Sequence, residues 1–356
     1  LRSELRIDIV AAKIPLIFVI IKTYIKNIFS KDYKYHMKIL AVQNKMGIGD
    51  TVIFLPFIEA ISKKFSVPVD ILVRENSKAE QFLTDTKYIN KIHILDRNNQ
   101  SNGSHDGLFG AINLIKNLKS KNFDKIFIFN SSLRFNLIAK LAGIKEIFQY
   151  PLFKKEEQHI IDSAKSFLKD SINVEIFNDP NIEINRSNVE EYILKFNIDK
   201  NDTNILLGIG GSGPTKRIPP KIFIKFMEKI VKIKNCKFFL ATGKNKDEQK
   251  ILNEIINSKL GYLCTSLDNL SIKNTLPIIK SCNVAVCNDT SFGHLSAALG
   301  IKTITLMADT PLIYGSYSSR MYPIIPDGET NVKHNTLGKD KINPDKIYEK
   351  LIKILN

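Results

Sequence analysis

Residues Asn288, Asp289, Thr290, Ser291, Phe292, Gly293 and His294 are consecutive, and they put a carboxylate, two hydroxyls, a glycine and an imidazole in one short stretch. An apolar run, 284–287, precedes them; Ala297, Ala298 and Leu299 follow, and then a second apolar run at 301–306. That order reads as strand, turn, helix and strand, a βαβ unit with its polar residues where the helix begins. Unpaired N–H groups and the dipole at such a helix start make a seat for phosphate. An ordinary N-cap aspartate followed by a solvent-facing histidine would carry the same letters.

Three further stretches could take part in the same chemistry. Residues 44–51 form a turn that delivers Gly47, Gly49 and Asp50 to the start of a helix expected over 52–65, and its glycines let backbone approach a ligand closely. An ionised carboxylate at that mouth suits proton abstraction in a dry cleft, although the helix dipole alone would also favour an acid there. The segment GGSGPTKRIPP brings Gly211 and two cations, Lys216 and Arg217, ahead of a proline-started helix; a solvated Lys-Arg pair is the plainer account. Beyond the next strand, Gly243 is followed by Asp247 and Glu248, which suit an exposed helix start equally well. Gly208, Gly210 and Gly213 spell a literal Gly-x-Gly-x-x-Gly, but Pro214 and the Pro219-Pro220 pair delay the helix, and the acid needed after the next strand is missing. A dinucleotide fingerprint is therefore set aside.

Two of these stretches carry a family likeness. NDTSFGHLSAALG, residues 288–300, resembles the NDTGPMHLAAALG signature of glycosyltransferase family 9, the heptosyltransferase-like enzymes of GT-B fold. MKILAVQNKMGIGDTVIFLPFIEAISKKF, residues 37–65, is similar to the opening strand, Gly-x-Gly-Asp turn and first helix of the same family. The likeness runs from Met37 to the C-terminus, in layout more than in letters through the middle. It implies that Asp289, Thr290, Ser291, Gly293 and His294 grip the diphosphate of a nucleotide-sugar, and that Asp50 is the general base that deprotonates the acceptor hydroxyl. It also implies that Lys216, or Arg217 in its place, neutralises the leaving group, and that Asp247 or Glu248 binds the ribose or base. Gly47, Gly49 and Gly211 are then points of close backbone approach. No Asp-x-Asp pair is present to hold a divalent ion, so neither a metal nor a cofactor is expected. The family's Thr-Gly-Pro-Met is Thr290-Ser291-Phe292-Gly293 here, which narrows the phosphate approach at Ser291. The implied activity is inverting transfer of a heptose or related sugar, ADP-heptose being the first donor to consider, to a lipid-linked or envelope saccharide.

The strands and helices that carry these residues follow from alternation. With 356 residues the chain suits two domains, and 44% hydrophobic with 25% charged residues describes a folded protein. Strands at 38–43, 69–73, 91–95, 125–129 and 146–150 alternate with helices at 52–65, 76–84, 108–119, 133–142 and 156–170. The polar loop 96–107 reads as an unpacked, mobile element on the acceptor side. A polar stretch to residue 203 marks a junction, after which strands at 204–209, 237–241, 284–287 and 301–306 alternate with helices at 219–233, 246–257, 271–280 and 344–355. The expected fold is α/β and GT-B-like: two doubly wound Rossmann-like domains facing a cleft, with an extra N-terminal helix. The domains are expected at 37–185 for the acceptor and 186–356 for the nucleotide-sugar donor; the loop 314–320, YGSYSSR, could line the donor sugar.

Residues 1–36 stand apart. The apolar run 14–21 lies between Lys13 and Lys22, is too short for the ~20 residues of a membrane span, and lacks a small-residue cleavage site. It reads either as a basic interfacial helix on the anionic cytoplasmic face of the inner membrane or as a helix packed on the first domain. The formal net charge of +16 fits a cytoplasmic protein in peripheral contact with that membrane. No nucleic-acid-binding signature accompanies the charge, so nucleic acid is not an expected partner. Cys236, Cys264, Cys282 and Cys287 show neither CxxC nor zinc spacing and read as free thiols. Two other functions remain compatible with the sequence: a nucleotide-sugar epimerase of similar fold, and a basic membrane- or polyanion-binding protein without activity.

Overall fold

Two parallel sheets are built from strands that are apolar on both faces, as expected where helices cover each side. The computed structural model describes residues 37–44, 47–97, 102–152 and 159–356; the helix expected within 1–36, with its membrane contact, lies outside the described residues. The first sheet contains β1 (Ile39–Gln43), β2 (Val69–Arg74), β3 (Ile89–Leu95), β4 (Lys125–Ile128) and β5 (Glu146–Gln149), in the order β3-β2-β1-β4-β5. Every residue of β1 is buried, with Leu40 level with Asp70 on one side and Ile126 on the other. Helix α1 (Ile48–Phe65) follows β1, α2 (Gly107–Lys119) follows β3, α3 (Leu133–Leu141) follows β4, and α4 (Ile160–Ile172) follows β5.

The second half begins with α5 (Arg186–Lys195) and adds β6 (Thr203–Gly208), α6 (Pro220–Ile230), β7 (Cys236–Ala241), α7 (Lys246–Ile256), β8 (Cys264–Ser266), α8 (Ile272–Lys280), β9 (Val284–Asn288), α9 (Ser291–Ala298), β10 (Thr303–Leu306), β11 (Met321–Ile324) and α10 (Pro344–Leu355). Its sheet runs β11-β10-β9-β6-β7-β8, all parallel. Phe223, Phe226 and Met227 of α6 pack with Ile347 and Leu351 of α10 on one face of it. In each sheet the strand that comes first in the chain, β1 or β6, has neighbours reached by opposite crossovers. Ligands of open α/β sheets bind at the carboxyl ends of such strands.

An extended segment joins the halves and is fastened to both. Asp179 accepts from the Ser319 amide at 2.8 Å, the Ile182 amide donates to the Ala298 carbonyl at 2.9 Å, and the Tyr88 hydroxyl donates to the Asn181 carbonyl at 2.6 Å. The Ile272 amide also donates to Gln81 Oε1 at 3.1 Å, so α8 rests on the first half.

Several sequence expectations are corrected. The helix expected over 76–84 is two 3₁₀ turns, Glu75–Ser77 and Ala79–Gln81, separated by Lys78 at a left-handed φ of 51°. A left-handed residue cannot continue an α-helix. The loop 96–107 is packed where described, with His105 and Asp106 buried. Arg97 Nε donates to Asp106 Oδ1 at 3.0 Å and Arg134 to the His105 carbonyl at 2.8 Å, so polar composition here supplies partners rather than slack. Helix α5 falls inside the expected polar junction because only Tyr192 of it is buried, leaving little apolar periodicity to read. All four cysteines are free thiols, and burial pushes those of Cys282 and Cys287 well up.

Candidate active site

A cleft of about 800 Å³ opens where the carboxyl ends of β1 and β2 meet those of β6, β7 and β9. From the first half it is lined by Gly47, Gly49, Asp50 and Asn76, and from the second by Gly211, Lys216, Arg217, Thr242, Glu248, Asp289, Thr290, Ser291, His294 and Tyr314.

Two helix starts face this space without side-chain caps. The N-cap of α1 is Gly47, whose φ of 103° suits glycine, and α1 starts four residues earlier than the apolar pattern suggests, so Asp50 lies in its first turn. The N-cap of α9 is Thr290, and its hydroxyl is buried without a hydrogen-bond partner among the described residues. Thr242 at the end of β7 has the same property. Buried unpaired hydroxyls are uncommon and mark places where a ligand or water completes the bonding.

Lys216 Nζ donates to Asp289 Oδ2 at 2.6 Å, and both side chains are largely buried. Burial opposes ionisation of Asp289, but the Lys216 charge together with the Lys216 hydrogen bond holds its carboxyl below the usual range. Asp289 thus stays ionised at the mouth of α9. Arg217 points elsewhere: its Nε donates to the Gly211 carbonyl at 3.0 Å and its Nη1 to Asp247 at 3.2 Å.

His294 is buried, and burial first of all keeps its imidazole below the ordinary histidine range. Its Nδ1 lies 2.8 Å from the Tyr317 hydroxyl, with the two rings stacked at 5.6 Å. Burial pushes the Tyr317 phenol up, so it stays protonated, and the other edge of the imidazole carries Cδ2 and Nε2. That edge of the ring meets Gly49, where an added Cβ would lie 2.7 Å from Cδ2 and 2.9 Å from Nε2. The start of α1 and the first turn of α9 thus touch directly.

Glu248 turns inward and Asp247 outward. Glu248 is buried; its Oε1 accepts from the Gly211 amide at 2.8 Å, its Oε2 from the Asn245 side chain, and its backbone N–H is capped by Asn245 at 3.0 Å. Side chains at Gly210 or Gly243 would collide with its carboxylate. Asn288 reinforces the same loop, donating to the Ile209 and Gly210 carbonyls at 2.8 and 3.0 Å.

Of the sequence-derived candidates, Gly47, Gly49, Asp50, Gly211, Lys216, Arg217, Glu248, Asp289, Thr290, Ser291 and His294 line the one cleft. Gly293 and Asp247 do not. Gly293 is buried with its Cα toward Cys287 and Asn288, so it serves the packing of α9 on β9, and the Asp247 side chain is 65% exposed. Sequence reasoning missed Thr242 and Asn245, and it singled out the stretch that holds Asn288 without giving that side chain a role of its own. Tyr314 and Tyr317 fell within the loop singled out, but Tyr317 supports His294, and Tyr314 packs edge-on against His159 at the start of α4, 5.1 Å between rings. Among the described residues no group of three or more His, Cys, Asp or Glu side chains is arranged to hold a metal ion.

The sequence model of glycosyltransferase family 9 (heptosyltransferase) matches residues 111–322, more than half of the chain. The chain is 31% identical over 150 residues to lipopolysaccharide heptosyltransferase 1 of Campylobacter coli, across 39% of this chain and 42% of that protein. It is 26% identical over 209 residues to lipooligosaccharide heptosyltransferase 2 of Campylobacter jejuni, across 56% of this chain and 61% of that one. These matches thus span about half of the relatives' lengths. Among solved structures, the E. coli ADP-heptose lps heptosyltransferase II superposes with a TM-score of 0.68 at 16% identity, over 90% of this chain and 98% of that one. The fold is therefore the two-domain GT-B arrangement implied by the two sequence signatures, and the matched span includes most of the second half with its signature turn. On these grounds the chain belongs to glycosyltransferase family 9, the heptosyltransferase family.

Proposed function

We propose that the protein is an inverting glycosyltransferase that moves a heptose or related sugar from a nucleotide-activated donor, ADP-heptose first among them, to a lipopolysaccharide-type or other envelope saccharide. The observation that carries this reading is the pairing, across one cleft, of Asp50 at the start of α1 with Lys216 and the uncapped start of α9. The donor diphosphate sits on the free N–H groups of α9 beside Lys216, with the Thr290 hydroxyl completing its hydrogen bonds. Glu248 holds the Gly210–Gly211 backbone in shape under the nucleotide. The acceptor hydroxyl loses its proton to the Asp50 carboxylate as its oxygen attacks the anomeric carbon. The bond to the diphosphate oxygen breaks on the opposite face, and the electron pair leaves with the nucleoside diphosphate. Lys216 and the helix dipole meet the charge that develops there, so the step needs no metal ion.

The acceptor lies on the side of the first half, and the names of the relatives favour a lipid-linked saccharide of the envelope. No helix among the described residues is long and apolar enough to cross a membrane. We place the protein at the cytoplasmic face of the inner membrane in peripheral contact.

The test is a thermal-shift titration with ADP, UDP, GDP and CMP. At a concentration of about 100 times its dissociation constant, one nucleotide should stabilise the protein by about 2.7 kcal/mol, and Lys216→Ala should abolish the shift. Stabilisation by none of them would remove the transferase reading. Release of an epimerised free sugar nucleotide from donor alone would replace it with an epimerase.

A further inference from the structure

The outer face of the first half carries an apolar surface that the sugar-transfer chemistry does not use. Leu108, Phe109 and Ile112 of α2 are 82%, 85% and 47% exposed, and Leu133, Leu137 and Leu141 of α3 are 45%, 48% and 64% exposed. The two helices are neighbours on one face of the first sheet: Leu114 and Leu118 of α2 and Phe135, Ile138 and Ala139 of α3 join Leu40, Val42, Ile126 and Ile128 in a single core cluster. Their opposite sides therefore present two adjacent apolar stripes to solvent, where an exposed patch of several large side chains marks an interaction site.

Charge identifies the partner. Neither α2 nor α3 contains an acidic residue, while Lys116, Lys119 and Lys140 lie exposed on the same helices and Lys145 just beyond. We propose that this surface docks on an anionic lipid bilayer, the leucines and Phe109 entering the headgroup boundary and the lysines pairing with lipid phosphates. A second copy is a poor fit, because a two-fold contact would set one basic rim against its like. Both helices follow strands of a parallel sheet, so Leu108, Phe109 and Leu133 lie at the sheet edge that faces the cleft. A bilayer held there would present a membrane-anchored acceptor next to Asp50. The docking does not depend on the sugar-transfer reading.

The chain has no tryptophan, which makes the test direct. Phe109→Trp and, as a control on the exposed Tyr262 of the other half, Tyr262→Trp are each mixed as full-length protein with phosphatidylglycerol vesicles carrying brominated acyl chains. The Phe109→Trp emission should shift blue and be quenched, while that of Tyr262→Trp stays unquenched; phosphatidylcholine vesicles should give far less. Phe109→Ser combined with Leu137→Ser should weaken sedimentation with the anionic vesicles about tenfold or more without changing the melting temperature. Unquenched Phe109→Trp, or unaltered sedimentation of the double variant, would overturn the proposal. So would a wild-type dimer that the double variant dissociates, or a marked loss of its melting temperature, since these outcomes would show the surface covered by another copy or by the chain itself.

Discussion

Asp50 and Asp289 are both carboxylates at helix starts that face one cleft, and the proposed reaction gives them different parts. Asp289 is tied to Lys216 at 2.6 Å and kept ionised well below neutrality, which fits a group that organises the donor site. Asp50 lies on the other half, where an acceptor would arrive. Asp50→Asn should therefore lower turnover about 10²-fold or more while leaving nucleoside diphosphate affinity unchanged, measured by steady-state kinetics beside calorimetry. Near-normal turnover would take Asp50 out of the mechanism. At this scale the letters pointed to the cleft through residues whose types alone suggest chemistry. They could not rank neighbours, because Lys216 and Arg217, or Asp247 and Glu248, differ in direction and not in kind. Glu248 is turned inward by a partner far along the chain, Gly211, 37 residues away, while Lys216 and Arg217 both line the cleft and differ in the partners they take.

The element that sets the cleft's geometry is the contact of α1 with α9, made through Gly49 and His294. Gly49 has ordinary helical backbone, so alanine there is opposed by space alone. Gly49→Ala should press on the buried imidazole, cost about 1–3 kcal/mol and lower turnover by shifting Asp50 relative to the donor site. Thermal melts and kinetics read the two effects separately, and a variant of unchanged stability and rate would show the contact to be slack. Long amphipathic helices such as α6 and the buried strands β1, β6 and β9 were legible, since burial imposes a pattern on their residues. The 3₁₀ turns at 75–81, the three-residue β8 and the polar α5 were not. Short elements bury too few side chains to impose a period, and their backbone is held by partners elsewhere.

Acid sensitivity belongs to the whole molecule. His105, His159 and His294, in different elements, all have folded-state pKa values lowered chiefly by burial. A lowered value means that the unfolded chain binds protons first, so this stability is complete above the unfolded value of 6.5 and is lost as pH falls through and below it. Asp289 and Asp179, also lowered, act in the same direction but only as pH falls below 3.8. The melting temperature should hold above about pH 7 and fall by about pH 5.5, before any of these carboxylates protonates; a flat profile across that interval would assign the histidines no such role. The βα alternation, the two glycine- and aspartate-bearing turns and their order can be read from the letters, because those follow from local periodicity and from the backbone freedom that turns require. It is the folded arrangement that sets Tyr317 against His294, locks Glu248 beneath Gly210 and Gly211, and brings α2 and α3 side by side with an apolar basic face. Each of these depends on which distant segments are brought within a few ångströms, and that follows from sheet order and packing, which no local pattern of residues contains.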